Sequence, residues 1–578
     1  MNGLTAGAPP APHIAPPVSP ATRDRRLAGR LGWIAAVAAT GSVLLMAAVS
    51  AAGPSAVVPV LPRTWPAPPL WYPGHLSDVT VTMVIYLALV LGGAAVGCGL
   101  AAVRRGARPS RRLLLAAAAG AVAVLAVLPP AGSTDSLTYA AYGRIAATGH
   151  NPYVMTPHQL RARGDPVGRE APRNWQDDPS LYGPVATATE WAAAKLSGTS
   201  ISPIVFWLKL LYALAFGAIA LALDRLLRHD QAARVRAHLL WTANPLMLWA
   251  VVAGAHVDGL GAGLGFLGLL IARPAGPLDS TPGPRRALAA GLLIGAAAGV
   301  KAPFALLGIA LAWSLRRSPR AQAAAATGAA LILVPGYLVT GPAAVAALVW
   351  RGSNLVTFDS FWRLFYPPFG FGAMPAGLEV SAAVGCLALA GLLAWRLPPG
   401  PSQLPAIRPA LVLTLAWLLV WPLQRPWYDA IAFCLLAVVP ASRLDTLMLI
   451  RAVPAAMAVA TGIVVRPPPQ WVSDVEIYIG YSLSPCIRLC VVIAAATLCM
   501  TAGWSLPQPT ASLAKPGQPP PTSPAPFTAG GQPVRGSGEW GRREPVPAAT
   551  AGRRSAMKGE GEEGGGARGG PGGSSPPG

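Results

Sequence analysis

The amino-acid sequence predicts an all-α, polytopic transmembrane helical bundle. Of its 578 residues, 53% are hydrophobic and only 12% are charged, and the mean hydropathy is +0.47. Soluble domains typically carry about 25% charged residues. Apolar segments long enough to cross a hydrocarbon layer of about 30 Å also recur along the chain. Together these observations exclude a soluble globular domain.

Most of the apolar segments have the length of one membrane-spanning helix, which needs about 20 residues. The segments are Leu31–Ala51, Val79–Val103, Leu113–Leu128, Ile204–Leu223, Ala321–Val339, Val380–Trp395 and Cys486–Met500. The six cysteines lie in or at the edge of apolar segments, without paired Cys-x-x-Cys units. We therefore expect buried thiols, and neither a zinc site nor a disulfide framework.

The basic residues of the chain mark its orientation in the membrane. The net charge is +22, yet the arginines do not form one basic face with interleaved aromatic residues, as nucleic-acid binding requires. They lie between apolar segments, in the clusters Arg23–Arg26, Arg104–Arg112, Arg225–Arg236, Arg285–Arg286 and Arg316–Arg317. Cytoplasmic loops carry such an excess of basic residues. We therefore expect these clusters and both termini in the cytoplasm, with residues 129–203 outside.

Three longer apolar segments contain polar or helix-breaking residues near their centres. They are His238–Ala272 with His256 and Asp258, Ala287–Leu315 with Lys301, and Ala410–Pro440 with Arg425. If each is a hairpin of two short helices, its basic flanks return to the cytoplasm and its polar tip reaches the outer surface. The alternative is a continuous span with Lys301 at its centre, which costs several kcal/mol. We favour the hairpins, and so expect about 12 to 14 spans.

The hairpins bring a carboxylate, cations and aromatic rings to the outer surface. Asp135 follows the third span, and Lys301 and Arg425 lie at two of the tips. A carboxylate takes a proton from an acceptor hydroxyl, cations hold a phosphate leaving group, and aromatic rings stack on sugars. The constellation therefore suits sugar transfer from a lipid phosphate. Each residue alone also fits a plainer role, because aromatic residues form interfacial belts and loop charges are solvated.

These features divide the chain into five predicted parts. Residues 1–28 form a disordered cytoplasmic N-terminus, and residues 29–129 form the first three transmembrane helices. Residues 130–203 form a large extracytoplasmic loop with the first candidate catalytic residues. Residues 204–503 form the remaining transmembrane helices and outer loops. Residues 504–578, rich in Pro, Gly and Ser, form a disordered cytoplasmic tail.

A series of short motifs occurs between about residue 113 and residue 435. The motifs are Asp135 with Tyr142-Gly143-Arg144, Gly149-His150-Asn151-Pro152-Tyr153, Tyr182-Gly183-Pro184, Asn244-Pro245, Gly254-Ala255-His256-Val257-Asp258, Lys301-Ala302-Pro303 and Trp427-Tyr428-Asp429. Their order and spacing resemble the integral-membrane glycosyltransferases of the C superfamily. The resemblance is closest to actinobacterial polyprenol-phosphate-mannose-dependent α-1,6-mannosyltransferases, which build the lipomannan core. This chain has Ala255-His256-Val257-Asp258 where that family has Gly-His-Asn-Asp, and so lacks one amide.

The resemblance implies a multi-pass enzyme of a bacterial plasma membrane whose active face is extracytoplasmic. Mannose would pass with inversion from polyprenyl-phosphate-mannose to a lipid-linked mannan acceptor, forming the α-1,6 linkages of lipomannan. Asp135 would be the catalytic base. The donor phosphate would be bound by Lys301, Arg144 and Arg425, with Arg351 and Arg363 as further candidates. The sugar or acceptor would contact Tyr142, Asn151, Tyr153, Tyr182, His256, Asp258, Trp427 and Tyr428.

No cofactor is expected, and the expected partners are the donor, a glycolipid acceptor and the bilayer, without nucleic acid. Asp177 and Asp178 are candidate ligands for a divalent ion, but Asp-Asp-Pro-Ser is equally a turn or helix N-cap, so no metal is assigned. The alternative function is a multi-span transporter or lipid flippase. Such a protein normally keeps ionisable residues near the bilayer midplane and often has an internal repeat. A non-enzymatic scaffold would not need the carboxylate and the cations.

Overall fold

The computed structural model describes residues 20–74, 76–274, 276, 281–350, 355–366, 374–463, 468–501 and 503–506. Within these residues every regular element is helical, apart from an isolated bridge between Ser442 and Ser505. The predicted all-α fold class is confirmed. The predicted disordered tail lies almost entirely outside the described residues. The first helix begins at Pro20, before the boundary predicted at residue 28.

The α-helices are numbered in chain order. The first eleven are α1 (Pro20–Ala51), α2 (Asp78–Arg104), α3 (Arg111–Val127), α4 (Asp135–Ala147), α5 (Pro157–Ala162), α6 (Pro166–Glu170), α7 (Pro184–Ser197), α8 (Ile201–Leu226), α9 (Gln231–Ala237), α10 (Pro245–Met247) and α11 (Asp258–Ile271). The others are α12 (Pro284–Val300), α13 (Ala305–Ser314), α14 (Pro319–Thr340), α15 (Pro342–Trp350), α16 (Ala376–Arg396), α17 (Ile407–Val420), α18 (Asp429–Leu436), α19 (Arg443–Ala460), α20 (Gln470–Tyr478) and α21 (Ser484–Met500).

Shorter helical turns lie between these elements. The π-helical turns are His238–Thr242, Leu248–Ala253 and Ile479–Leu483, and the 3-10 turns are Arg173–Trp175, Ala302–Phe304, Phe361–Leu364 and Pro426–Tyr428. Serine side chains fix several helix starts: Ser77 accepts a hydrogen bond from the backbone N–H of Thr80 at α2, and Ser110 accepts one from Leu113 at α3. The predicted extracytoplasmic region, residues 130–203, contains α4 to α7.

Within the described residues, six helical segments are long and apolar enough to cross a membrane. They are α1, α2, α8, α14, α16 and the continuous segment Gln470–Met500, which includes α20 and α21. Large apolar side chains on their outer faces are exposed, as Leu338 (77%) and Val339 (86%) are on α14. Such side chains contact lipid when the helix spans a bilayer. The structure therefore agrees with a multi-pass membrane protein.

The predicted number of spans depends on helices shorter than these six. Helices α3 and α12 have 17 residues each, and α17 has 14. All three are shorter than the roughly 20 residues that an untilted helix needs to cross the hydrocarbon core. The estimate of about 12 to 14 spans stays a prediction.

All three of the long apolar segments are interrupted where the sequence predicted. The segment Gln231–Ala253 and helix α11 meet at an angle of 116°, with His256 in the break. Helix α12 ends at Val300, and Lys301 has an extended backbone (φ −159°, ψ 137°). Helix α17 ends at Val420, and Arg425 lies just before the turn Pro426–Tyr428. A continuous helix through Lys301 is therefore wrong.

Glycines allow α12 to lie directly against the backbone of α14. A Cβ atom added to Gly291 would lie 2.0 Å from the carbonyl oxygen of Ala325, and one added to Gly295 would lie 2.6 Å from Cα of Ala329. Small residues at four-residue spacing permit this close approach of helices in membranes. Because Lys301 follows α12 directly, this packing also fixes the position of its backbone.

We expect Gly295→Leu to lower the melting temperature of the detergent-solubilised protein, because the new side chain must push α12 away from α14. Overpacking a tight contact costs about 1 to 3 kcal/mol. The matched control is Gly120→Leu on α3, where nothing lies within 4 Å of an added Cβ atom. Scanning fluorimetry measures both variants. Equal melting temperatures for the two would contradict the close packing of α12 and α14.

Candidate active site

The breaks after α12 and α17 border one cavity of about 950 Å³. Ligand pockets in proteins commonly measure about 300 to 1,000 Å³. Its walls come from the start of α4, the turns after α12 and α17, and the segments around residues 175–182, 355–358 and 459–463. The predicted site residues that line it are Asp135, Tyr142, Tyr182, Lys301, Arg425, Trp427 and Tyr428. The structure thus brings together side chains that are up to 293 positions apart in the sequence (135 to 428).

Asp135 is the first residue of α4, and its carboxylate faces the cavity. The hydroxyl of Ser133 accepts a hydrogen bond from the backbone N–H of Asp135 at 3.1 Å, so the serine caps this backbone group. The Asp135 side chain is only 18% exposed. Burial raises the pKa of the Asp135 carboxyl above its ordinary value, although the cations Arg425 and Lys301 act in the opposite direction. A raised pKa makes the ionised carboxylate a stronger base.

Lys301, at the break after α12, contributes a cation to the cavity wall. Its Nζ donates to both carboxylate oxygens of Asp258, at 3.1 and 3.2 Å. It also lies 4.1 Å from the ring centroid of Tyr428 and 5.6 Å from that of Tyr182. An ammonium group has three N–H donors, so one remains for a ligand in the cavity. Asp258 thereby orients Lys301 while the aromatic rings enclose it.

Arg425 is the second cation in the cavity wall. Its guanidinium carbon lies 5.8 Å from the ring centroid of Phe358 and 6.0 Å from that of Trp427. Among the ion pairs of the described residues, none includes Arg425, whereas Lys301 is paired with Asp258. A guanidinium with five N–H donors and no carboxylate partner is suited to an anionic ligand.

Aromatic side chains form a large part of the remaining wall. The rings of Trp417 and Tyr428 are stacked, with centroids 5.4 Å apart, and Trp427 meets Tyr428 edge to face. The hydroxyl of Tyr142 donates to the backbone carbonyl of Asp178 at 2.9 Å. Flat apolar ring faces bordered by hydrogen-bonding groups suit the binding of a sugar.

Two of the predicted contacts are inside the protein, behind the cavity wall. Asp258 is buried at the start of α11 and reaches the site through Lys301. His256 is fully buried, and its ring stacks on Trp427 with centroids 3.6 Å apart. Val257, which stands where the family has Asn, is packed in an apolar cluster. In this chain that position is therefore part of the apolar core.

Three other predicted residues do not reach the cavity. Arg144 pairs with Asp165 at 2.8 Å and donates to the carbonyl of Gly198. The side-chain amide of Asn151 donates to the carbonyl of Thr340 at 2.8 Å, and its oxygen accepts the N–H of Tyr153. The hydroxyl of Tyr153 is hydrogen-bonded to Thr187 at 2.8 Å in a buried setting. These contacts hold the outer region together, so we leave all three residues out of the proposed site.

Of the further candidate cations and metal ligands, the structure describes Arg363, Asp177 and Asp178. Arg351 lies outside the described residues, and Arg363 donates to the carbonyl of Thr357 at 3.1 Å. Asp178 lines the cavity, whereas Asp177 pairs with His158 at 2.8 Å. In the part of the chain that the structure describes, no three His, Cys, Asp or Glu side chains are grouped as a metal ion needs. The expectation that no metal takes part stays a prediction.

Sequence reasoning missed the charged side chains that support the cavity wall. Arg451 on α19 binds Asp429 and Gln424, and Arg488 on α21 binds Asp359. All of these side chains are buried. The sequence did contain an indication of these pairs: Arg451 and Arg488 lie within apolar helices, where an arginine needs a buried partner. Arg451 thereby fastens the loop that carries Arg425 to α19, and Arg488 fastens the segment that carries Asp359 to α21.

Comparisons with known proteins point to one kind of enzyme. The family model described as "Alpha-(1->6)-mannopyranosyltransferase, N-terminal domain" matches residues 35–317, which include Asp135, His256 and Lys301. A probable alpha-(1->6)-mannopyranosyltransferase of Mycolicibacterium smegmatis is 26% identical over 68% of this chain and 76% of its own length. The chain is similar to alpha-(1->6)-mannopyranosyltransferases. The resemblance inferred from the sequence motifs is confirmed.

Two further members of the alpha-(1->6)-mannopyranosyltransferase family match over shorter stretches. The enzyme of Mycobacterium tuberculosis is 30% identical over 28% of this chain and 27% of its own length. Alpha-(1->6)-mannopyranosyltransferase B of Corynebacterium glutamicum is 26% identical over 26% of this chain and 25% of its own length. No solved structure matches the chain. Similarity to these mannopyranosyltransferases supports a glycosyltransferase.

Arg144 and Arg425 provide a matched test of the site boundary. Arg425→Gln should lower the rate of sugar transfer about 100-fold, the usual loss when one group that stabilises transition-state charge is removed. Arg144→Gln should lower the melting temperature, because it breaks the pair with Asp165, and should change the rate only a few-fold. Radiolabelled transfer and scanning fluorimetry measure the two effects. Similar rates for both variants would show that Arg425 has no special place in the site.

Proposed function

We propose that this protein transfers mannose from polyprenyl-phosphate-mannose to a lipid-linked mannan acceptor, with inversion and formation of an α-1,6 linkage. The observation that supports this most is the composition of the cavity: one largely buried carboxylate, Asp135, faces a space that Lys301 and Arg425 also line. The linkage and the sugar follow the names of the relatives. The protein would act in lipomannan and cell-envelope synthesis.

The proposed reaction is a single displacement at the anomeric carbon of mannose. Asp135 takes the proton of the acceptor hydroxyl as the oxygen of that hydroxyl forms its bond to the carbon. The bond from the carbon to the phosphate oxygen breaks, and the polyprenyl phosphate leaves with the electron pair. A β-linked donor therefore gives an α-linked product. The leaving group is already a stable anion and needs no general acid.

Lys301 and Arg425 would supply the electrostatic stabilisation. Negative charge develops on the bridging phosphate oxygen as the bond breaks, and fixed cations aimed at that charge lower the barrier. Lys301 is held by Asp258 and two tyrosine rings, so it needs little reorganisation during the reaction. Arg425 has the geometry for two parallel hydrogen bonds to a phosphate.

An apolar section of the cavity wall fits the lipid part of the donor. Pro303, Leu306 and Ile309 line the cavity on the turn and helix that follow Lys301. Ile309 is 57% exposed, which places an apolar side chain at the outside of the protein as well as in the cavity wall. A polyprenyl chain that follows these residues would enter from the bilayer. We propose that the cavity opens to the extracytoplasmic side and that both termini are cytoplasmic, as the basic clusters indicate.

The chemical product distinguishes a transferase from the alternative, a transporter or flippase. A transporter moves a lipid or sugar without breaking the glycosyl phosphate bond. Asp135, Lys301 and Arg425 at one cavity are needed for bond exchange, and translocation alone gives no reason for a base beside two phosphate-binding cations. Formation of a new mannoside by the purified protein therefore distinguishes the two functions.

Asp135→Asn should lower mannosyl transfer from polyprenyl-phosphate-[³H]mannose by about 100- to 10,000-fold, because the amide cannot accept the proton. Donor affinity should change little, since Lys301 and Arg425 remain. The assay uses purified protein in proteoliposomes with a synthetic mannoside acceptor, and a binding assay measures donor affinity. Ser133→Ala is the matched control, because it removes the backbone cap of Asp135 but leaves the carboxylate. An Asp135→Asn protein with near-normal transfer would remove Asp135 from the mechanism.

A further inference from the structure

We infer that His256 is a positioning residue for the base: its Nε2 atom accepts a hydrogen bond from the Asp135 carboxyl group once that group has taken the acceptor's proton. Nε2 lies 3.8 Å from a carboxylate oxygen of Asp135. This inference rests on the proposed function, since it concerns the proton that Asp135 removes. His256 itself does not line the cavity.

The hydrogen bond at the other ring nitrogen determines the tautomer. Nδ1 of His256 lies 2.6 Å from the carbonyl oxygen of Ala250. A carbonyl oxygen only accepts, so Nδ1 carries the hydrogen. The ring is fully buried, and burial favours the neutral imidazole. In the neutral ring, Nε2 is therefore an acceptor with a free lone pair.

Nε2 of His256 is buried and has no hydrogen-bond partner among the described residues. A buried acceptor of this kind normally has a donor. The ionised Asp135 cannot supply one, because both groups are then acceptors, and this agrees with a separation of 3.8 Å. Protonated Asp135 has an O–H donor, and the two atoms can then approach to hydrogen-bonding distance. The partner of Nε2 thus appears when the acceptor's proton arrives.

The ring of His256 is held in this orientation from several sides. Ala255 has a positive φ of 55°, a conformation that residues other than glycine rarely adopt and that is found at functional sites. The ring stacks on Trp427 with an interplanar angle of 12°. A Cβ atom on Gly254 would lie 2.5 Å from Cε1 of the ring, so the backbone also encloses it. Together these contacts keep Nε2 directed toward Asp135.

The charged groups that act on His256 are side chains of the site described above. They are the carboxylates of Asp135 and Asp258 and the cations of Lys301 and Arg425. Asp258 is engaged with Lys301 through both oxygens, and it follows His256 by two residues. The turn His256-Val257-Asp258 therefore directs one side chain to the base and one to the phosphate-binding cation.

The proton balance of the step is simple. The proton leaves the acceptor hydroxyl, binds to Asp135 and stays on that carboxyl group while its O–H donates to Nε2. No proton moves to the histidine. Asp135 loses the proton to solvent after the product leaves, and the contact opens again. A hydrogen bond to the protonated form of a carboxyl group makes the carboxylate a stronger base.

Two amide substitutions distinguish the roles of the two ring nitrogens of His256. The side-chain amide of Asn reaches the place of Nδ1 and can donate to Ala250, but no atom occupies the place of Nε2. The amide of Gln reaches the place of Nε2 and offers an acceptor to Asp135. His256→Asn should therefore lower kcat about 10-fold, the usual size of one lost hydrogen bond, and His256→Gln should restore most of that loss. KM for the donor should stay the same in both.

The pH dependence of kcat gives the readout that a structural role would not change. In the wild type, kcat should fall on acidification as Asp135 becomes protonated. His256→Asn should move this fall to lower pH by about one unit, because the protonated form of Asp135 loses its partner. His256→Phe keeps a ring on Trp427 without an acceptor and should shift the fall in the same direction. If scanning fluorimetry shows that His256→Asn does not fold, His256→Phe is used in its place.

The wild type and Asp135→Asn are assayed beside these variants with polyprenyl-phosphate-[³H]mannose as the donor. A wild type that transfers no mannose would overturn the proposed function, and the role of His256 with it. If the wild type transfers mannose and Asp135→Asn does not, an unchanged pH dependence in His256→Asn or His256→Phe would overturn the role of His256 alone. Equal losses in the Asn and Gln variants would do the same.

Discussion

A membrane helix can be interrupted only where its freed backbone groups find partners in the protein or in water. The broken ends after α12 and α17 have such partners in the protein. The carbonyl of Val300, at the end of α12, accepts the N–H of Gly183 at 3.0 Å, and the carbonyl of Pro422, after α17, accepts the N–H of Thr357 at 3.2 Å. Because these partners come from the chain segments that line the cavity, the same contacts that permit the breaks also build the site.

Buried charge fixes the loop that carries Arg425. The Arg425 loop is flanked by Gln424 and Asp429, and both side chains bind Arg451 on α19. Removing one partner of a buried ion pair costs about 3 to 5 kcal/mol, because the other charge is left without compensation. Arg425 itself forms no ion pair among the described residues. The supporting charges are neutralised within the protein, while the cation at the cavity stays available to an anion.

The sequence was sufficient for the fold class and for the helix breaks, because polar residues such as Lys301 inside apolar segments have few stable placements in a membrane. It also predicted that Asp135, Lys301 and Arg425 would converge. It could not separate Arg144 from them, since the motif does not reveal that Asp165, 21 positions later, binds its guanidinium. The sequence did not predict the ion pairs of Arg451 and Arg488, because their partners are 22 and 129 positions away. Only the tertiary fold brings these side chains together.

The central claim is that Lys301 and Arg425 hold the phosphate of the lipid donor beside Asp135. The most direct test is a cryo-electron microscopy structure of the protein in nanodiscs with polyprenyl phosphate, the product that keeps this group. Phosphate oxygens should lie within hydrogen-bonding distance, about 2.7 to 3.2 Å, of both Lys301 Nζ and the Arg425 guanidinium. A phosphate bound at Arg144, or anywhere outside the cavity, would contradict the claim.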